Sequence, residues 1–384
     1  MIDQTWPSYL GPLENSAPGH RFQLYFPKGP SGGSNLEPLQ WAADYKDQAR
    51  EQLTKLRERQ AALAAAARVV TFDLKSSAPL ATGLGNEHIS DNGFAFLTPY
   101  GLPYIPGSGI KGAVRRAAEE LARSGDSSWS TEAVLWLFGM DDKAVDRSEE
   151  AETKVREALG LSQGGDLRNR GALLFWDCLP EPPAGKLVVD VMNAHTSHYL
   201  QGNEAPHQTM PPNPIYFLTL PPGTGFRFHV GFRPVGKSPA ALEEQWRGLL
   251  DQAFEQAGWL GLGAKTSVGY GVMAFDEQAR AHRREKERES EEAARRAAEL
   301  AAMDPLKRSM QEAIEADPDP NKKDFMKLID ALERGMWEGE ERREVVQRVR
   351  ALMQEGKEWV EESKKPAKDK KYQRTQKVLA WLKS

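Results

Sequence analysis

The apolar positions change period several times along the chain, and each change marks an element. Val69-Val70-Thr71-Phe72-Asp73-Leu74 is rich in β-branched and aromatic residues and reads as a strand. Ile110, Val114, Ala117, Ala118 and Leu121 recur at helical spacing after a loop punctuated by Pro106 and Gly107, with Ser108 as the expected N-cap. Residues 131–138 form a second helical stretch that stops at Gly139. Residues 172–178, 187–192, 215–220 and 225–233 read as extended, and Pro221-Pro222-Gly223-Thr224-Gly225 is a turn between the last two. Residues 238–257 place Leu242, Trp246, Leu249, Leu250 and Phe254 on one helical face, before a glycine-rich loop and a final strand over 268–275. Strand, helix, strands, helix, strand is the order of a ferredoxin-like α+β fold, expected over residues 69–275.

The flanks differ in pattern. Residues 1–68 form an N-terminal extension: Pro-, Gly- and Ser-rich to about 37, with Phe22-Gln23-Leu24-Tyr25-Phe26 as a short strand or anchor, then one helix over 38–68. The segment 141–157 is acidic and polar and reads as a solvated insertion. Residues 276–303 carry seven basic and seven acidic side chains in an Ala-rich stretch between 277 and 303, which predicts a charged helical linker. Residues 304–384 hold three amphipathic segments around Met310, Leu328 and Val349, then a basic stretch and a last helix near 372–382: a small helical accessory domain. Its cations Lys364, Lys365, Lys368, Lys370, Lys371 and Arg374 suit protein docking or RNA contact, or simply face solvent.

Composition narrows the classes. At 384 residues the chain has room for more than one domain. A single cysteine, Cys178 in an apolar run, excludes a disulfide framework and reads as a small core residue. The opening residues lack a basic region followed by an apolar run, and no segment approaches ~18 uninterrupted apolar residues, so a cytoplasmic location without membrane contact is expected. Net charge is −4, and residues 69–275 carry 17 basic against 23 acidic side chains. That balance argues against a free-standing, non-specific nucleic-acid binder, whose affinity comes from neutralising phosphates. Local contacts within an assembly remain compatible.

Two motifs carry the candidate chemistry. Gly261-Leu262-Gly263-Ala264-Lys265-Thr266-Ser267-Val268-Gly269-Tyr270-Gly271 joins four glycines to one lysine and two hydroxyls, the makings of a phosphate seat. It is not a P-loop: Ala264 intervenes between Gly263 and Lys265, and a strand rather than a helix is expected to follow. A plain glycine-rich turn is the competing reading. Upstream, Gly107, Ser108 and Gly109 open a helix on which Lys111 and Arg115 lie four apart on one rim. Solvated basic residues on a surface helix compete there.

With these motifs on the page, the chain resembles the RAMP superfamily of CRISPR proteins. The carriers are Ile105-Pro106-Gly107-Ser108-Gly109-Ile110-Lys111-Gly112 before a helix and the late Gly-x-Gly-x-Lys-Thr-x-x-Gly-Tyr-Gly loop. Thr82-Gly83-Leu84-Gly85-Asn86-Glu87-His88, Leu137-Phe138-Gly139 and Val189-Asp190-Val191-Met192 further resemble the sixth RAMP subunit of the type III-B (Cmr) effector complex. The resemblance covers about residues 69–275. It implies an RRM-like ferredoxin core and a non-catalytic, cofactor-free subunit that holds CRISPR guide RNA near its 3′ end and caps the backbone subunits. Neighbouring RAMP subunits are implied partners, and target RNA a further candidate. The RNA contacts expected are Gly107, Ser108, Gly109, Lys111, Arg115, Gly261, Gly263, Lys265, Thr266, Ser267, Gly269 and Tyr270, together with His195, His198 and Tyr199 in a loop over the guide. Contacts of this kind position a strand without reading its bases.

Two enzymatic rivals stay open. Asp190, His195, His198 and His207 fall within eighteen residues and are ordinary metal-ligand types, although His195 and His198 lack the spacing of a helical zinc motif. Metal-independent cleavage of repeat RNA would use His88 as base and Lys265 as anion stabiliser.

Overall fold

A computed structural model describes residues 13–27, 35–67, 69–89, 92–125, 128–139, 150, 153–154, 156–157, 171–194, 202, 213–234 and 240–383. The acidic insertion and the histidine loop lie largely outside them. The chain falls into two compact units, Met1–His282 and Arg283–Ser384.

The first unit begins with α1 (Pro18–Gln23), α2 (Leu36–Ala43) and α3 (Asp47–Ala66). Sequence periodicity predicts one helix where α2 and α3 stand. The break comes at Asp44–Lys46, where Tyr45 turns into the core at 1% exposure and Asp44 bridges Lys186. Phe22 and Phe26 anchor the extension, but from a helix and the turn after it rather than from a strand. Arg21, fully buried, donates to the carbonyls of Ser16, Trp41 and Asp44 and so ties α1 to α2. Phe22, Leu39, Tyr45 and Leu53 belong to the same apolar core as the sheet, so the extension is part of this unit's packing.

The chain continues through β1 (Val70–Ser76), the short pair β2 (Phe96–Leu97) and β3 (Leu102–Pro103), α4 (Gly107–Ser124) and α5 (Thr131–Phe138). After these come β4 (Leu173–Phe175), β5 (Val188–Ala194), β6 (Asn213–Thr219), β7 (Gly225–Phe232), α6 (Ala240–Leu260) and β8 (Met273–Phe275). Four strands make an antiparallel sheet in the order β4-β7-β1-β8. Counted among those four strands the order is 2-3-1-4, with α4 after the first and α6 after the third, which is the ferredoxin-like arrangement. β5 and β6 stand apart as a separate hairpin, paired from Val188↔Thr219 to Ala194↔Asn213. The final strand is shorter than its apolar run suggests, because residues 266–268 form a 3-10 turn before Met273.

Period-2 alternation sends Phe72 and Leu74 of β1 to one side of the sheet, where Phe72 stacks on Phe254 of α6 with centroids 4.3 Å apart. Ile110, Val114, Ala117 and Ala118 form the buried face of α4. α4 packs against α6, whose buried face includes Ala253 and Ala257, while Gly258 closes on β8, where an added Cβ would stand 2.4 Å from Met273 O. On the sheet itself Asp73, almost fully buried, accepts from Arg227 at 2.8 Å across the β1–β7 register. Cys178 is buried, and burial pushes its thiol up to about 12, as expected of a core cysteine rather than a nucleophile.

The first unit ends early in α7 (Glu277–Ala302). The second contains α8 (Pro305–Glu315), α9 (Asp324–Glu333), α10 (Gly339–Glu355) and α11 (Lys370–Lys383), with its own core of Phe325, Leu328, Trp337, Val345, Val349 and Val378. Among the described residues, no helix is long and apolar enough to cross a membrane.

Candidate nucleic-acid interface

Topology places the two glycine motifs on opposite edge strands and at opposite ends of β1. Met273, the first residue of β8, pairs with Ser76, the last of β1, so the loop after α6 lies beyond the C-terminal end of β1. Gly107 lies against Phe175, the last residue of β4, which is level through Val230 of β7 with Val70, the first residue of β1. β4 and β8 are the two edge strands, so the motifs are separated by about 14 Å across three strand spacings and by about 20 Å along β1, from Val70 to Ser76.

The helix motif is already engaged. Its first helical residue is Gly107 and its N-cap is Pro106, so Ser108 is the second helical residue and not the cap expected from sequence. Gly107 N–H donates to the carboxylate of Asp177 at 2.7 Å. A Cβ there would stand 2.3 Å from the Phe175 carbonyl, which explains why glycine occupies the position. Ser108 and Gly109 are exposed, with open space around Gly109. Lys111 turns back to donate to the Leu173 carbonyl at 3.3 Å, and burial, then the Arg115 charge, lowers its pKa. Arg115 pairs with Glu119 at 2.8 Å. The two cations share a rim, as their spacing requires, but each has a partner within the protein.

The later loop is different. Gly263 and Gly271 both have positive φ, and a Cβ on either would meet backbone: Ala81 O at 2.4 Å for Gly263, Leu262 O at 1.8 Å for Gly271. Gly261 is closed off in the same way by Tyr270 O at 2.5 Å. These glycines therefore serve close packing of the loop on itself and on the 79–81 segment, where Ala264 N–H donates to Ala81 O and Gly271 N–H to Pro79 O. Of the amides expected to face a phosphate, those of Gly261, Gly269 and Gly271 already donate to Ala257 O, Thr266 O and Pro79 O, as the competing reading of a glycine-rich turn expects. Gly269 is exposed with no atom near its missing Cβ. Thr266, half-buried, and Ser267, exposed, present hydroxyls on the short 3-10 turn.

Lys265 itself has φ 62°, a left-handed conformation that costs a non-glycine residue about 1 kcal/mol. Its ammonium lies 5.5 Å from the Phe217 ring centroid, 5.6 Å from that of Tyr270 and 3.8 Å from Met192 Sδ. Cation–π attraction holds it there without neutralising it. Among the described residues Lys265 makes no ion pair. The nearest carboxylate of the cluster is occupied: Asp190 accepts the Tyr270 hydroxyl at 2.7 Å and the Val191 N–H at 2.8 Å. Burial, then the bond to Asp190, pushes the Tyr270 phenol up to about 12.

Phe217, Met192 and Asp177 are contributors that sequence reasoning missed, and Asp190 was read as a metal-ligand candidate rather than as the acceptor for Tyr270. A signal existed for part of this. Asp190 and Met192 are two apart on one strand and so share a face, and Phe217 is the cross-strand partner of Asp190. Beside the loop, Trp259 on the last turn of α6 is 70% exposed and Val268 is 68% exposed.

His88 is not placed as a base. Its ring stacks on Phe22 at 3.7 Å and meets Phe26 edge-on, its Nε2 bonds the Phe22 carbonyl at 2.7 Å, and burial lowers its pKa. His195, His198, Tyr199 and His207 lie outside the described residues, in the connection between β5 and β6.

Comparison with known proteins places this geometry. A model of the RAMP superfamily matches residues 73–274, more than half of the chain. Cmr6, a subunit of the CRISPR Cmr system of Pyrococcus furiosus, is 31% identical over 236 residues, which is 53% of this chain and 67% of that protein. Similar solved structures include the type III-B Cmr-β complex bound to cognate target RNA, at TM-score 0.39 and 20% identity over 62% of this chain and 69% of that one. The crystal structure of Cmr6 from Pyrococcus furiosus gives TM-score 0.29 and 24% identity over 54% and 97%. On the family match and the 31% identical relative, the chain belongs to the RAMP superfamily and is similar over that core to Cmr6.

Proposed function

We propose that the chain is a non-catalytic, RNA-binding structural subunit of a type III-B CRISPR effector, holding guide RNA near its 3′ end and capping the backbone subunits. The observation that carries the RNA contact is Lys265: a lysine in a left-handed conformation, beside the Thr266 and Ser267 hydroxyls, held by ring faces and with no carboxylate partner among the described residues. A charge kept in that state is available to a phosphate, which would gain a charge-assisted hydrogen bond. The hydroxyls add neutral donors, and Trp259 offers a flat apolar face for an unstacked base. Similarity to a Cmr subunit supports the assembly part of the reading.

The Lys265 loop is the primary seat, and the α4 terminus is secondary, because Asp177 and Glu119 already occupy Gly107 and Arg115. The non-catalytic part of the reading is supported by the engagement of His88 with Phe22 and Phe26. The test is guide-RNA retention by the assembled complex carrying Lys265→Ala, alongside incubation of the chain with repeat RNA. Weakened retention with intact RNA supports the reading; unchanged retention, or cleavage lost on His88→Ala, overturns it.

A further inference from the structure

The second unit carries a cationic loop that the family match does not reach. Residues 364–374 hold six basic side chains, Lys364, Lys365, Lys368, Lys370, Lys371 and Arg374, against one acidic, Asp369. Elsewhere on this unit several cations are neutralised within the chain, among them Arg283 by Glu287, Arg296 by Glu315, and Lys322 by Asp317 and Asp330. Lys371 follows that habit, pairing with Glu358. Lys364, Lys365, Lys368 and Lys370 do not. All four are exposed, and among the described residues none has an ion-pair partner.

The loop is built to present them. Lys368 N–H and Asp369 N–H both donate to the Lys365 carbonyl, closing a turn after Pro366. Gln373 Nε2 reaches back from α11 to the carbonyls of Pro366 and Ala367 at 3.4 and 2.9 Å. Asp369, the one carboxylate, is turned inward: it accepts from Ser363 Oγ at 2.9 Å and caps α11 through the N–H groups of Lys371 and Tyr372. Its charge is therefore spent on the loop's own hydrogen bonds and the helix dipole rather than on the lysines. Glu361 and Glu362 precede the loop, and Glu361 accepts from the Trp359 indole.

We infer that this lysine loop is a second nucleic-acid contact, binding the sugar-phosphate backbone of a single strand without reading its sequence. Charge alone would also attract an acidic protein face. Stable protein interfaces, however, centre on buried apolar or aromatic anchors. No large apolar side chain between 357 and 383 is exposed among the described residues; Trp359 lies under Arg350 and Trp381 beside Arg342. Flexible lysine stems, as point charges, tolerate variable phosphate spacing, where a planar guanidinium demands fixed geometry. The composition is that of a phosphate surface.

The test uses the full chain and a fluorescein-labelled single-stranded RNA of mixed sequence, with affinity measured by anisotropy across a salt series. A K364Q/K365Q/K368Q/K370Q variant removes only exposed, unpaired charges, and its near-UV circular dichroism checks the fold. Its affinity should fall roughly tenfold at low salt, and its salt slope by about 3, near 0.7 for each phosphate no longer neutralised. The four-arginine counterpart keeps the charge and should retain the parent's salt slope. Unchanged affinity and slope in the glutamine variant would overturn the inference, whatever Lys265→Ala does. So would loss of a protein neighbour from the native complex with RNA affinity intact, which would assign the loop to an acidic protein instead.

Discussion

Lys265 carries two demands that pull against each other, and they can be separated by substitution. Its left-handed backbone favours glycine, whereas its ammonium is the group proposed for phosphate. Lys265→Gly should therefore raise stability to chemical denaturation by up to about 1 kcal/mol while weakening RNA retention as much as Lys265→Ala does. A loss of stability in the glycine variant would mean that the contacts with Phe217, Tyr270 and Met192 outweigh the strain. Tyr270→Phe keeps the ring beside Lys265 and removes the hydroxyl from Asp190. It should cost about 1 kcal/mol of stability and leave Asp190 with one donor fewer. At this scale much was legible: the lysine, the two hydroxyls and Tyr270 stand out from spacing alone. What spacing does not reveal is who neutralises whom. Lys111, Arg115 and Lys265 look alike in a sequence, and only folding shows that the first two are engaged.

Elements explain the glycines. The loop between α6 and β8 must pass within contact of the 79–81 segment and of its own start, so it needs residues without a Cβ at Gly263 and Gly271. Gly271→Ala, with the Leu262 carbonyl at 1.8 Å from the added carbon and a positive φ, should cost more than about 2 kcal/mol and lower expression of folded protein. A melting temperature within a degree of the parent would contradict this packing. In the second unit, Glu358 is held below the usual carboxylate range by its bond to Lys323 and then by Lys371. A depressed folded pKa contributes stability above the unfolded value near about 4.3, lost as pH falls through the folded one. Glu358→Gln should therefore flatten the acid side of that unit's stability profile below roughly pH 4.3, as followed by tryptophan fluorescence. The helices and most strands were visible in apolar periodicity. The break before α3 was not, since nothing local distinguishes Tyr45 until the core it enters exists. Nor was the separation of the β5–β6 hairpin from the main sheet, because alternation reports a buried face but not the partner strand.

Across the whole molecule, the charge balance argues for a component of an assembly. A first unit with more acidic than basic side chains between residues 69 and 275 cannot rely on a broad positive field to capture RNA. It can contribute a few directed contacts where neighbours supply the rest. The ferredoxin-like order was readable from element succession, and the superfamily from the two glycine motifs, because both depend on local spacing. The packing of residues 13–66 into the first unit's core was not, since it arises from tertiary contacts of scattered residues such as Phe22, Leu39 and Leu53.

Contact between the Lys265 loop and guide RNA within an effector complex can be tested in place. The most direct measurement is ultraviolet crosslinking of the complex purified through a tag on this chain, followed by sequencing of the RNA and mapping of the crosslinked peptide. Short CRISPR-derived guides should be crosslinked near their 3′ end to the peptide spanning residues 259–271. Recovery of the chain without RNA, or guides crosslinked only at sites remote from that peptide, would contradict that contact.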